Sequence, residues 1–93
     1  MYTIEQIKDA AKSLGIVFDK FSLDDLVTGI NIELEHGTSN SLTNVTNDNL
    51  IITMKIALAH LNEFPNYYNK DYGLPAFEKY LKSRFYMWIG FFI

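Results

Sequence analysis

The sequence predicts an all-α fold, a small bundle of about four helices in a single domain that spans residues 1–93. Apolar residues recur at three- and four-residue spacing in four stretches, and no stretch alternates apolar and polar residues for long enough to require a strand. Hydrophobic residues make up 48% of the chain, which is enough for a modest core and argues against disorder. A long polar loop at 37–47, rich in turn-forming residues, is expected between the second and third helices.

The first two predicted helices begin at capping residues. Thr3 with Gln6, and Ser22 with Asp25, match the capping-box pattern or its shorter acidic version. Gly15 then supplies the left-handed residue that stops the first helix. The expected apolar stripes are Ile4, Ile7, Ala11 and Leu14 in the first helix, and Leu23, Leu26, Val27, Ile30 and Leu34 in the second.

Gly29 lies inside the second helix, where glycine costs about 1 kcal/mol relative to alanine. A close backbone approach is therefore expected at this position. Gly37 is expected to end the helix.

The third predicted helix is capped by Thr46 or Asn47 and bounded by Pro65, which disfavours helical geometry in the residue before it. Pro75 suits the first position of the fourth helix. The expected stripes are Leu50, Met54, Ala57, Leu61 and Phe64 in the third helix, and Phe77, Leu81, Phe85 and Trp88 in the fourth.

Composition excludes several classes of function. The chain has no cysteine, so disulfides, thiolate catalysis and cysteine-based zinc sites are ruled out. Its net charge of -3, without a basic stripe, argues against direct binding of nucleic acid. The longest apolar stretch, 85–93, is far below the roughly 20 residues that span a bilayer. The amino terminus does not resemble a signal peptide, so we expect an intracellular or virion location.

Both histidines lie three positions from a glutamate, Glu33 with His36 and His60 with Glu63. Imidazole and carboxylate groups at this spacing resemble the ligands of helical carboxylate-metal bundles, so one hypothesis is a divalent metal site formed by all four. Acid/base catalysis is another, although no nucleophile accompanies the pairs. In the structural alternative, His36 interacts with the carbonyls of a helix end, and Glu33 or His60 is hydrogen-bonded to loop amides or tyrosine hydroxyls. No catalytic residue and no other cofactor is assigned.

Helical geometry restricts the metal hypothesis. Glu33 and His60 fall at the edges of the buried stripes, whereas His36 and Glu63 fall about 60° further toward solvent. In a simple hairpin, His60 would lie about 20 Å from the loop beside His36. Convergence therefore requires that the second and third helices cross or run nearly parallel.

Aromatic residues suggest two surfaces. Tyr67, Tyr68 and Tyr72 are expected to pack their rings against helices and keep their hydroxyls wet or hydrogen-bonded. The carboxyl-terminal stretch at 85–93 is apolar at nearly every position, and a chain this short cannot cover every side of it. Such patches usually mark interaction sites. The predicted interaction residues are Phe85, Met87, Trp88, Phe91 and Phe92; the alternatives are interfacial membrane contact and packing under the first helix.

Three segments carry a resemblance to a known family: "GINIELEHG", "TNVTNDN" and "KIALAHLNEFPNYY". Together they are similar to a small uncharacterised helical family, a domain of unknown function of bacteria, phages and large DNA viruses. The resemblance covers about residues 18–68 and leaves the helix at 75–93 divergent. It implies a helical fold and a narrow set of polar positions, with no activity to carry over.

These observations favour a non-enzymatic structural or protein-interaction module, a component of a viral or phage assembly. We expect a protein partner or self-association through the apolar carboxyl terminus. The alternative is a metal-binding or hydrolytic accessory domain that uses the Glu/His cluster.

Overall fold

The computed structural model describes the backbone of residues 2–92 and the side chains of residues 2–83. Within that range the chain forms four α-helices, a short 3₁₀ turn and no strand, which confirms the all-α prediction. The elements are α1 (Ile4–Ser13), α2 (Leu23–Glu33), the 3₁₀ turn (Leu34–His36), α3 (Leu50–Glu63) and α4 (Leu74–Phe92).

Both predicted capping boxes form. The Thr3 hydroxyl accepts a hydrogen bond from the Gln6 amide at 3.1 Å, and the Gln6 side chain accepts one from the Thr3 amide at 2.8 Å. Ser22 and Asp25 make the equivalent pair of bonds at 3.1 and 2.9 Å. Gly15 follows α1 with a φ of +69°, the left-handed conformation that ends the helix.

The core comes from one face of each of the first three helices and from two aromatic residues outside them, one before α2 and one after α3. Its buried members are Ile7, Ala10, Ala11, Phe21, Leu26, Ile30, Met54, Ala57, Leu61 and Tyr68. The predicted stripe of α3 extends one residue too far. Phe64 lies beyond the helix in extended geometry before Pro65, and it is 45% exposed.

Contacts between α2 and α3 advance in the same direction along both helices. Gly29 lies against Ala57, and Glu33, one turn later, lies against His60. The two helices therefore cross without forming an antiparallel hairpin. The intervening residues 37–49 return the chain to the start of α3 in a series of turns.

The start of α3 differs from the prediction. Its capping residue is Asn49, whose side chain accepts a hydrogen bond from the Ile52 amide at 2.9 Å. Asn47 and Asp48 have φ values of 50° and 59°, so the chain cannot enter a right-handed helix until after them. Thr46 is buried, and its hydroxyl caps the turn by accepting a bond from the Asp48 amide.

Helix α4 also departs from the prediction. Pro75 is its second residue, and the expected inward stripe does not enter the core over its described part, because Phe77 and Leu81 are 56% and 46% exposed. Among the described residues, α1, α2 and α3 pack mainly on one another, and α4 shares no comparable interface with them. Tyr68, in the segment between α3 and α4, packs against α2 at Gly29 and is buried in the core.

Candidate functional site

A polar cluster lies where α2 and α3 cross. Glu33, the last residue of α2, is only 5% exposed, and its Oε1 is 3.0 Å from Nδ1 of His60 in the last turn of α3. The same-direction crossing of the two helices produces this contact. The crossing meets the condition set by the metal hypothesis, which required that the second and third helices cross or run nearly parallel.

Tyr68 completes the cluster from the segment after α3. Its hydroxyl donates a hydrogen bond to Oε1 of Glu33 at 2.5 Å and lies 2.8 Å from Nδ1 of His60. The ring occupies the space left by Gly29, where a Cβ atom would meet it at 2.6 Å. The close approach expected at Gly29 is therefore made by an aromatic side chain.

The hydrogen-bond distances favour one assignment of the hydrogens in the cluster. A length of 2.5 Å is typical of a hydroxyl that donates to an ionised carboxylate, so the one hydrogen of Tyr68 points to Glu33. Nδ1 of His60 then faces two oxygen acceptors and must itself carry a hydrogen. The lone pair of a neutral His60 is consequently on Nε2.

Tyr67 covers one face of the imidazole. Its ring is stacked on His60 with the centroids 4.3 Å apart and the planes 9° from parallel. It also meets the ring of Tyr68 edge-on at 4.9 Å. Two aromatic rings thus restrict the orientation of His60 in addition to its hydrogen bonds.

Both tyrosines resist ionisation. Burial raises the pKa of Tyr68 well above its ordinary value, and the hydrogen bond to Glu33 raises it further. Burial also raises the pKa of Tyr67, with smaller contributions from the negative charges of Glu33, Glu63 and Glu78. Both phenols are therefore hydrogen-bond donors, not anions, at neutral pH.

The structure separates the four residues of the metal hypothesis. Glu33 and His60 meet, whereas Nε2 of His36 lies 3.6 Å from the neighbouring Glu35 on the surface. Glu63 is exposed at the last position of α3. No three His, Cys, Asp or Glu side chains in the described part of the chain are grouped so that they could hold a metal ion. Metal binding itself stays a prediction.

The sequence predicted that Glu33 or His60 would be hydrogen-bonded to loop amides or tyrosine hydroxyls, and the Tyr68 hydroxyl is such a partner of both. The sequence did not single out Tyr68 among the tyrosines. The signal was Gly29, where a close approach of backbone was expected and the ring of Tyr68 makes the close approach instead. The predicted interaction residues fall outside the side chains that the structure describes, and their role stays a prediction; they are Phe85, Met87, Trp88, Phe91 and Phe92.

An open cleft of about 270 Å³ lies between the end of α1 and the face of α3 that carries Leu58 and Asn62. Lys20 and Asp19 line its rim, together with Leu14, Gly15, Ile16 and Val17. None of the cluster residues lines this cleft. The cleft and the cluster are therefore separate features of α3.

No helix in the described part of the chain is long and apolar enough to cross a membrane.

The chain matches the family described as Protein of unknown function (DUF5661) over residues 7–75. No curated protein and no solved structure matches it. The matched region contains the whole Glu33–His60–Tyr68 cluster, whereas most of α4 lies beyond it. Because the match covers more than half of the chain, this protein belongs to the DUF5661 family of unknown function.

Proposed function

We propose that this protein is a non-enzymatic interaction module that binds a second copy of itself through α4. The observation that carries the proposal is the exposure of Phe77 and Leu81, which lie four positions apart and so share one face of the helix. Large apolar side chains grouped on one face favour protein contact. The apolar sequence at 85–92 continues the same helix and supports a larger interface.

The charges on α4 support a copy of the same chain as the partner. Glu78 lies beside Lys79 and Lys82, so the surface carries both signs close to its apolar residues. A two-fold pairing sets each patch against its own copy, where acidic and basic groups can complement each other. We propose a viral or phage assembly, inside the cell or in the virion, as the setting for this module.

Sedimentation velocity over a range of concentrations tests the proposal. The full chain should form a dimer or larger oligomer, and the double variant Phe77→Asp/Leu81→Asp should be monomeric. The matched control is Leu42→Asp, because Leu42 is 94% exposed and lies in the polar loop far from α4 in sequence. This variant should associate like the unmodified protein.

A chain that ends at Ser83 provides a second comparison, since it lacks the predicted interaction residues. It should associate more weakly than the full chain while keeping its helical circular dichroism. A full chain that is monomeric at all concentrations would overturn self-association, and so would a double variant that associates as strongly as the control.

A second candidate, a metal-binding or hydrolytic accessory domain, is favoured by one observation. The Glu33 carboxylate holds Nδ1 of His60, which leaves Nε2 as the basic nitrogen. Elemental analysis of protein purified without a histidine tag tests this candidate. No bound metal, together with no change in melting temperature on adding zinc or manganese, would remove it.

A further inference from the structure

Nε2 of His60 is the atom of the cluster without an assigned role. Nδ1 faces the buried Glu33 and Tyr68, so Nε2 lies at the opposite edge of the ring. The His60 side chain is 31% exposed. No hydrogen bond joins Nε2 to another group among the residues whose side chains are described. The two partners of Nδ1 thus orient the imidazole of His60, and the ring is partly exposed.

The arrangement behind this atom is the one that metal-binding histidines use. A histidine that binds a metal through one ring nitrogen almost always donates the other N–H to a carboxylate, a carbonyl or water. Glu33 accepts that bond here, and the stacked ring of Tyr67 restricts rotation of the imidazole. Glu33 acts as a positioning residue in this arrangement, since its own oxygen contacts Nδ1.

The charges around the imidazole favour a cation over an anion. Glu63 follows His60 by three positions on α3, a spacing that puts the two residues on the same side of the helix. Glu63 and Glu78 both raise the pKa of Tyr67, which is consistent with carboxylates near the ring that stacks on His60.

We propose that Nε2 of His60 and the carboxylate of Glu63 form a two-ligand surface site for a divalent transition metal ion such as Zn²⁺. The proposal rests on the second candidate function and replaces its four ligands with two. Imidazole and carboxylate are both ligands of zinc, and water or a group from a bound molecule completes the coordination. A site with two ligands is compatible with the absence of any group of three in the described residues.

The tautomer of His60 gives a test that needs no variant. In a ¹⁵N-labelled full chain without metal at neutral pH, long-range ¹H–¹⁵N spectra should show His60 with its hydrogen on Nδ1. Adding Zn²⁺ should shift Nε2 of His60 strongly. His36 serves as the internal control. Its Nε2 also lies near a carboxylate, 3.6 Å from Glu35, but among the described side chains no hydrogen bond orients its ring, so Zn²⁺ should shift it less at the same concentration. A metal-free His60 with its hydrogen on Nε2 would overturn the proposal.

Variants then identify the ligands. His60→Asn should lose Zn²⁺ binding while keeping an N–H donor for Glu33, and Glu63→Gln should weaken binding without changing the fold, since Glu63 is exposed. Glu33→Gln should weaken binding about 10- to 100-fold through the orientation of the imidazole. The matched control, His36→Asn, should bind like the unmodified protein.

The outcomes separate the inference from the function on which it rests. Zn²⁺ binding that survives His60→Asn but is lost in His36→Asn would overturn this site and leave a metal-binding function standing. Failure of the unmodified chain to bind Zn²⁺ would overturn both. Circular dichroism of each variant shows whether a loss of binding reflects unfolding, and Glu63→Gln provides the test if Glu33→Gln does not fold.

Discussion

Tyr68 and Glu33 are joined inside the core by a 2.5 Å hydrogen bond that links positions 35 residues apart. The bond closes a polar contact among α2, α3 and the segment that leads to α4. No buried side-chain nitrogen or oxygen in the described part of the chain lacks a hydrogen-bond partner. The buried polar atoms of the cluster are therefore all hydrogen-bonded. Each hydrogen bond offsets the free-energy cost of burying the polar groups that it joins.

Replacing Tyr68 with phenylalanine should destabilise the protein by about 1–3 kcal/mol, because it leaves a buried carboxylate with one donor fewer. Urea denaturation followed by circular dichroism measures the change. The matched control is Tyr72→Phe, since Tyr72 is 76% exposed. Its effect should stay within about 0.5 kcal/mol, as for most surface substitutions. Equal effects of the two substitutions would show that the Tyr68 hydroxyl contributes nothing.

Alkaline conditions should weaken the fold through the same phenol. The pKa of Tyr68 is raised above its ordinary value of 10.0 in the folded protein. The contribution of the protonated phenol to the free energy of unfolding is therefore fully present below pH 10. It is lost as the pH rises from 10 toward the pKa of Tyr68 in the folded protein. Urea denaturation between pH 8 and pH 11 should show a steeper loss of stability for the unmodified protein than for Tyr68→Phe. Parallel profiles would contradict this prediction.

Gly29→Ala should destabilise the protein even though alanine favours helices by about 1 kcal/mol. The added Cβ atom would lie 2.6 Å from the Tyr68 ring and 3.3 Å from Cβ of Ala57, so the ring must move away from Glu33. Overpacking of this kind costs about 1–3 kcal/mol. The control is Thr28→Ala on the exposed side of the same helix. Thermal unfolding of the two variants gives the comparison, and a stabilised Gly29→Ala would contradict the close contact.

Acid should loosen the turn before α3. Hydrogen bonds from the Thr38 hydroxyl and amide to the Asp48 carboxylate lower its pKa below the ordinary value of 3.8. This contribution is present above pH 3.8 and is lost as the pH falls through the lower folded pKa. The free energy of unfolding should therefore fall between pH 4 and pH 2. The fall should be smaller for Asp48→Asn than for the unmodified protein. Urea denaturation across that range measures the difference, and equal declines would contradict the prediction.

Local chemistry made part of the fold predictable from the sequence. Capping boxes at Thr3 and Ser22 and the left-handed Gly15 depend on neighbours within a few residues, so their patterns specify them completely. The cap of α3 was predicted too early, because Asn47 and Asp48 both adopt positive φ values that no local pattern requires. Asp48 also accepts hydrogen bonds from Thr38, ten residues away in the chain, and no local pattern indicates that contact.

The polar cluster was predictable only in its components. Helical periodicity placed Glu33 and His60 at the edges of buried stripes, but it could not give the direction in which α2 and α3 cross. Tyr68 lies outside any helix, where periodicity says nothing about orientation. The exposure of the apolar face of α4 was also not predicted. An apolar helix face indicates that it will be covered, but it does not show whether the covering surface belongs to the same chain.

The same-direction crossing of α2 and α3 also affects the order of events during synthesis. Glu33 is made early, but both of its partners in the core are made 27 and 35 residues later. A nascent chain that has exposed α2 alone must keep this carboxylate hydrated, because burying it unpaired is costly. The core around Glu33 can close only when Tyr68 has left the ribosomal tunnel, so α1 and α2 cannot complete this core on their own as they emerge.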